Sequence, residues 1–243
     1  MTPSSLRRHG TIHPTGGGIA LSVLHPAYRS GRSIFPSRIF DPSEVARVLK
    51  TGHQNRKIGK VVQKGSRRGW PIFMLTLEER ATCPSDCKAW AICYGNNMQA
   101  AERIVAGPEL EAALWEELAE LNRQHPSGFL VRLHILGDFY SVDYVRMWRR
   151  ALNVFPALHV FGFTARHPEE DPIGWTVFEL ASRSWDRFAI RFSGQPGPQM
   201  ASRILDGPDA DAIACPAQLG LSDCCATCAL CWQSRRSIGF ARH

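Results

Sequence analysis

Apolar residues recur along this chain with two different periods, and the alternation between them predicts its layout. Leu110, Leu114, Leu118 and Leu121 share one face at helical spacing, which predicts a helix over Glu109–Gln124. Val145, Trp148, Leu152 and Phe155 form a second stripe, and Ser141 ahead of it is a good N-cap, so a helix is expected over Ser141–Val154. Between these stripes lie short apolar runs of the kind found in buried strands: Pro71–Thr76, Phe129–Leu136, Leu158–Thr164 and Phe188–Phe192. A further helix is expected over Ile173–Ser182, a helical turn over Gln199–Leu205, and a last short strand over Asp211–Ala214. Asp41, followed by Pro42 and Glu44, carries a capping-box signature for a short helix that Gly52 would stop.

Strands and helices in turn define an α/β fold with a parallel sheet, open or partly closed into a barrel. Residues 1–54 read as an irregular basic arm and short helix, residues 55–214 as the α/β core, and residues 215–243 as a cysteine-rich tail. Parallel α/β folds bind ligands at the carboxyl ends of their strands. Cys83–Cys93, Gly137-Asp138, Ala165-Arg166, Ser193-Gly194 and Cys215 each follow an expected strand. Both cysteine sets are therefore expected at one edge.

All eight cysteines fall in two sets, Cys83, Cys87 and Cys93, then Cys215, Cys224, Cys225, Cys228 and Cys231. Core packing scatters cysteines, whereas metal ligation clusters them. Zinc knuckles usually take cysteines in pairs, but Cys225-x-x-Cys228-x-x-Cys231 is the triple that wraps three corners of a four-iron cube in ferredoxins. The upstream Cys215-Pro216 supplies the usual fourth ligand dipeptide, leaving Cys224 spare. The spacing therefore favours two [4Fe–4S] clusters over zinc. The first set offers three thiolates only, which leaves an iron position open for reaction or for a further ligand such as His53 or His134.

Composition sharpens the compartment more than the partner. No apolar run is long enough to cross a bilayer, and no apolar stretch follows the basic Met1–Arg8 as in a secretory signal. A cytoplasmic location is expected, where clustered cysteines are ligands and not disulfides. The formal charge is +7. Arg7, Arg8, Lys60, Lys64, Arg67 and Arg68 could meet nucleic acid or another anion, so a non-enzymatic cluster protein that binds nucleic acid is the alternative reading. A zinc-stabilised domain is a third.

Thr82-Cys83-Pro84, Cys93-Tyr94-Gly95, His134-Ile135-Leu136-Gly137-Asp138-Phe139-Tyr140 and Gly162-Phe163-Thr164-Ala165-Arg166 resemble the phage "gene product 88"-like family, over roughly residues 55–235. A strand, a three-cysteine loop, a helix and a strand ending in Gly-Asp also resemble, more distantly, the first half of a radical S-adenosylmethionine (SAM) barrel. The second spacing here is longer than that superfamily's usual loop, and Tyr94 follows the last cysteine where an aromatic normally precedes it. The radical-SAM resemblance implies a partial barrel, SAM as a further cofactor, an electron donor as partner, and Gly137-Asp138 as the segment that meets the SAM amine. Beside it, Asp138 and Arg166 are candidate catalytic residues, Arg166 as a bidentate holder of carboxylate or phosphate. Ser193 is a candidate for close approach to the cofactor. Arg132 and Arg191 lie within strands, where they meet an anion inside a barrel or face solvent at an edge.

Overall fold

The apolar runs pair with one another because each is buried on both faces, and a parallel sheet flanked by helices is the arrangement that does this. The computed structural model describes residues 19–241 except 53, 54, 56, 206 and 208. Its strands are β1 (Ile39–Phe40), β2 (Lys50–Thr51), β3 (Ile72–Met74), β4 (Arg103–Ile104), β5 (Phe129–Leu133), β6 (Leu158–Thr164), β7 (Phe188–Ser193), β8 (Ala201–Leu205), β9 (Ala212–Ala214) and β10 (Ser237–Ala241). Its helices are α1 (Pro26–Ser30), α2 (Pro108–Gln124), α3 (Val142–Val154), α4 (Pro172–Ser184), α5 (Cys225–Cys228) and α6 (Leu230–Gln233). Eight strands form one sheet in the order β2-β3-β5-β6-β7-β8-β10-β9, while β1 and β4 pair separately. Within the large sheet only β2 runs antiparallel, against β3.

The central register places Met74 beside Arg132, Arg132 beside Phe161, and Phe163 beside Arg191. Successive side chains on β7 point to opposite faces. Phe192 meets Phe178 of α4, whereas Arg191 donates to the carbonyls of Leu230 and Ser234 around α6. The helix layer and the cysteine-bearing segment thus cover opposite faces of one sheet. On the helix side, Leu110, Leu114, Leu118 and Leu121 are all buried, as the stripe requires. Ser141 caps α3 by accepting the Tyr144 N–H at 3.0 Å. Asp171 caps α4 in the same way on Ile173 N at 2.7 Å, so α4 starts at Pro172, one residue before the expected start, and ends at Ser184.

Three local expectations change. The capping box at Asp41 forms, with Asp41 N donating to Glu44 Oε2 at 2.7 Å, but only a three-residue 3₁₀ turn follows, Pro42–Glu44. The reason is non-local: Val48 N and Leu49 N donate to the Glu117 carboxylate of α2 at 2.6 and 2.9 Å, which replaces helical partners. Residues 201–205, expected as a helical turn, are strand β8 because β10 pairs alongside them, Ile238 opposite Ser202. Residues 215–241 do not trail from the core. After Cys231 the chain enters the sheet as β10, between β8 and β9, and Ala226, Ala229 and Trp232 join the main hydrophobic core. Among the described residues no helix is long and apolar enough to cross a membrane. Residues 1–18 of the basic arm, with Arg7 and Arg8, lie outside the described residues, as does His53.

Candidate metal centre

The first cysteine loop follows β3 and is anchored by buried charge. Glu79 pairs with Arg103 at 2.7 Å, both side chains at most 1% exposed. Arg103 also donates to the carbonyls of Met98, Ala101 and Gly95, and Arg80 reaches the Trp90 carbonyl and Asn96 Oδ1. These bonds fold residues 78–103 back on themselves, with Cys83, Cys87 and Cys93 inside the fold. The neighbouring Glu78 takes Arg32 at 2.6 Å and Ser33 N at 3.1 Å, which ties the segment after α1 to the loop. Trp90 follows the same tie: its indole donates to Tyr28 O, and its ring lies over Gly31.

Cys83, Cys87 and Cys93 lie within electrostatic reach of one another. Burial raises all three thiols, and the carboxylate of Asp138 raises Cys83 and Cys87 further. Arg80 opposes this at Cys87 and Cys93 by stabilising thiolate charge. Burial thus favours the thiol over the thiolate at all three positions.

Gly137 brings the Gly-Asp segment under this loop. Its φ of +83° lies in the left-handed region, and a Cβ there would stand 2.6 Å from both Leu77 Cβ and Thr82 Oγ1. Asp138 is buried. It accepts from Phe139 N and Thr164 Oγ1, both at 2.7 Å on Oδ1, and from Ala165 N at 2.7 Å on Oδ2. Burial pushes its carboxyl up to about 6 despite those donors. Arg166 gives Nε to Phe139 O, one terminal nitrogen to Thr82 O and the other to Asp171 Oδ2, at 2.8, 3.0 and 2.9 Å. Its fork is engaged with the protein and straps the cysteine loop to the ends of β5 and β6. Ser193 is exposed and its Oγ meets Ser202 Oγ at 3.4 Å. A Cβ on Gly194 would stand 4.0 Å from Lys88 Nζ, so the cysteine loop extends over the carboxyl end of β7.

The second set assembles from two places. Cys215 follows β9, and its N–H donates to Gly239 O of β10 at 2.8 Å. Cys225, Cys228 and Cys231 sit on α5 and α6, held by Cys225 N to Lys57 O and Ala226 N to Ile58 O, at 2.8 and 2.9 Å. Cys225 and Cys231 interact as a pair, which favours the thiolate at Cys231 and disfavours it at Cys225. Arg191, Arg132 and Lys57 also favour the Cys231 thiolate. Cys228 and Cys215 both feel the Cys231 charge. Cys224 turns elsewhere: its Sγ meets Thr227 Oγ1 at 3.5 Å and lies 2.8 Å from where a Cβ on Gly59 would stand.

The two sets do not share one edge in the simple way their order along the chain implies. Cys215 alone of the second set follows a strand, and the rest cross the face opposite α4. Arg132 lies beside the second set. Its guanidinium lies 4.8 Å from the Phe163 ring centre and donates to the His134 carbonyl, and its charge reaches Cys225, Cys231 and Tyr94, the residue after Cys93. Arg191 is fully buried and gives its two terminal nitrogens to the carbonyls of Leu230, Ser234 and Arg236. His134 binds Tyr144 Oη at 3.1 Å and packs edge-on to Phe139, a core position away from the cysteines.

Among the described residues no group of three or more His, Cys, Asp or Glu is arranged to hold a single metal ion. The thiols are gathered without converging on one point. A four-iron cube takes each thiolate on a different iron, so convergence on one ion is not what it requires, and an all-thiolate donor set is the chemistry that suits it. The donor set fits a cluster on those grounds. Glu79, Arg80, Asn96 and Arg103, which shape the loop, were not evident as site residues beforehand; the signal was the charged run Glu78-Glu79-Arg80 directly behind an apolar strand. No protein-family model matches the chain, and neither a curated protein nor a solved structure matches it.

Proposed function

We propose that this chain is an iron–sulfur protein of the radical-SAM type. Cys83, Cys87 and Cys93 would hold one [4Fe–4S] cluster, and Cys215, Cys225, Cys228 and Cys231 a second. The observation that carries this reading is the inequality of two gathered thiol groups, three in one and four in the other, on one mostly parallel sheet. A partial barrel is the form of the fold that goes with it, with Arg132, Phe161, Phe163 and Arg191 on the inner face. Four thiolates complete a cluster, whereas three leave one iron free to take a small molecule.

When bound, the three-cysteine cluster would supply the electron that cleaves S-adenosylmethionine reductively, with a redox partner delivering that electron. The chain's own residues do the rest. Arg80 lowers the cost of thiolate charge at Cys87 and Cys93. Asp138 Oδ2 accepts one hydrogen bond, from Ala165 N, so it keeps a lone pair for an ammonium group at the rim of the loop. Arg166 holds that rim rigid by bonding Thr82, Phe139 and Asp171 together, which makes it a positioning residue. Lys88 Nζ reaches Gly194, the residue after Ser193, at the carboxyl end of β7.

Purification without oxygen, followed by measurement of iron, sulfide and zinc per chain, tests the metal content. About eight irons are expected, from two four-iron cubes. Zinc in place of iron would overturn the reading. Incubation of the reduced protein with S-adenosylmethionine then separates enzyme from carrier: cleavage is expected, and no binding of S-adenosylmethionine to the iron-loaded protein would remove the enzymatic half.

A further inference from the structure

A recess of about 530 Å³ opens beside the α4–β7 connection, at the end of β7 opposite Ser193. Six strand residues set it roughly 20 Å from that carboxyl edge. Its walls come from three separate segments: the turn before β3, the α4–β7 connection, and the stretch that follows Cys231. The volume is in the range of sites for small molecules.

Three guanidiniums line the recess, those of Arg67, Arg183 and Arg235. Trp185 and Trp232 line it, 7% and 1% exposed, and neither indole Nε1–H has a hydrogen-bond acceptor among the described residues. Buried donors without acceptors are costly and uncommon. Arg191, stacked 5.1 Å from the Trp185 ring centre, has a buried Nε–H in the same condition. Asp186 is the one carboxylate of the lining, and Arg67 bonds both its Oδ1, at 2.7 Å, and its carbonyl. Arg67, expected to belong to an exposed basic surface, is thereby buried. Two further guanidiniums are less committed. The Arg183 side chain is 74% exposed and reaches only Glu179, one turn away at 3.2 Å, while Arg235 gives one N–H to Ser182 O at 2.6 Å.

We infer that this recess binds a phosphate-bearing anion, taken by Arg183 and Arg235. Guanidinium forks match phosphate oxygens in pairs, and the lining carries more positive charge than its single carboxylate offsets. Arg191 and Arg235 both stack on Trp185, so its ring is engaged and affinity should follow the phosphate and not a base. The phosphate could belong to a free ester or to a nucleic-acid backbone. The inference stands apart from the clusters, since no cysteine lines the recess.

Calorimetric titration of the full-length, anaerobically purified protein with inorganic pyrophosphate, a short oligothymidylate and adenosine tests it. Pyrophosphate or the oligonucleotide should bind and adenosine should not; the tighter of the two names the source of the phosphate. Arg183→Gln and Arg235→Gln should each weaken binding about tenfold, the scale of a charge-assisted contact, with Arg146→Gln on α3 as an unaffected control. All eight cysteines stay in place in these variants, so iron content and phosphate binding fail independently. Arg183 is exposed, so its variant folds whether or not the recess binds anything. The inference is overturned if neither anion binds at low salt, or if the double variant binds as tightly as the native protein.

Discussion

The hydroxyl of Thr82 accepts the backbone N–H of Asp138 at 3.1 Å and donates to Glu78 O at 2.8 Å. One side chain, adjacent to Cys83, thus joins the turn behind β3 to the segment behind β5. The carboxylate of Asp138 continues the chain of bonds to Thr164 and Ala165 at the end of β6. Three strand ends are held in register by groups that touch the first cysteine loop.

Gly137→Ala should break this junction. The new methyl would stand 2.6 Å from Leu77 Cβ and Thr82 Oγ1, at a φ that penalises any side chain. If the first cluster depends on the loop, iron per chain should fall by about half while the second set keeps its share. Unchanged iron would show that the loop tolerates displacement.

Asp138→Asn should destabilise the fold by about 2 kcal/mol, because three donors converge on the carboxylate and an amide presents a fourth donor in place of an acceptor. Urea unfolding at neutral pH measures this. A midpoint equal to the native one would show that the three bonds contribute little.

Glu79→Leu and Arg103→Met should each cost about 3–5 kcal/mol, since either leaves a buried charge without its partner. The double variant Glu79→Leu with Arg103→Met should cost less than the sum of the single changes. Additive losses in a double-mutant cycle would mean that the pair is not coupled.

Stability should decline as pH falls from about 6.5 to 4. Burial holds His134 down to about 3 and His159 down to about 4, so both stay neutral in the folded protein. Unfolded, each takes a proton near 6.5, and the unfolded state is favoured as pH drops. Asp138 acts the other way: raised to about 6, it takes its proton first in the folded state and adds stability as pH falls through the same window. Two histidines against one carboxyl leave a net uptake of roughly one proton on unfolding. His159→Gln should flatten the decline and Asp138→Asn should steepen it. A urea midpoint that rises on acidification would contradict the balance.

Cys224→Ser should leave iron content unchanged, because that thiol faces Thr227 and Gly59. Cys231→Ser should remove about four irons, the content of one cube. Equal loss in both variants would show that Cys224 is a ligand after all.

Local signals were enough for the frame. The leucine stripe of α2, the Ser141 cap of α3 and the apolar runs of β5, β6 and β7 each specify their element through spacing that a single segment carries. The capping box at Asp41 was read correctly as chemistry and wrongly as a helix, because the partners of Val48 and Leu49 come from Glu117, nearly seventy positions away. Strand β8 was missed for the same reason, since its pairing depends on β10.

The sequence by itself determined that cysteines come in a three and a larger group, that strands and helices alternate, and that Gly137-Asp138 stands behind a strand. Tertiary structure decided what those residues meet. It bent the second cysteine segment across the sheet face opposite α4, turned Cys224 aside, engaged Arg166 and Arg191 with carbonyls and Asp171, and put Arg132 beside Cys225 and Cys231. Spacing along a chain reports which face a side chain shares with its near neighbours. Which distant carbonyl or carboxylate satisfies a buried arginine is set by how the sheet packs, and no local pattern records it.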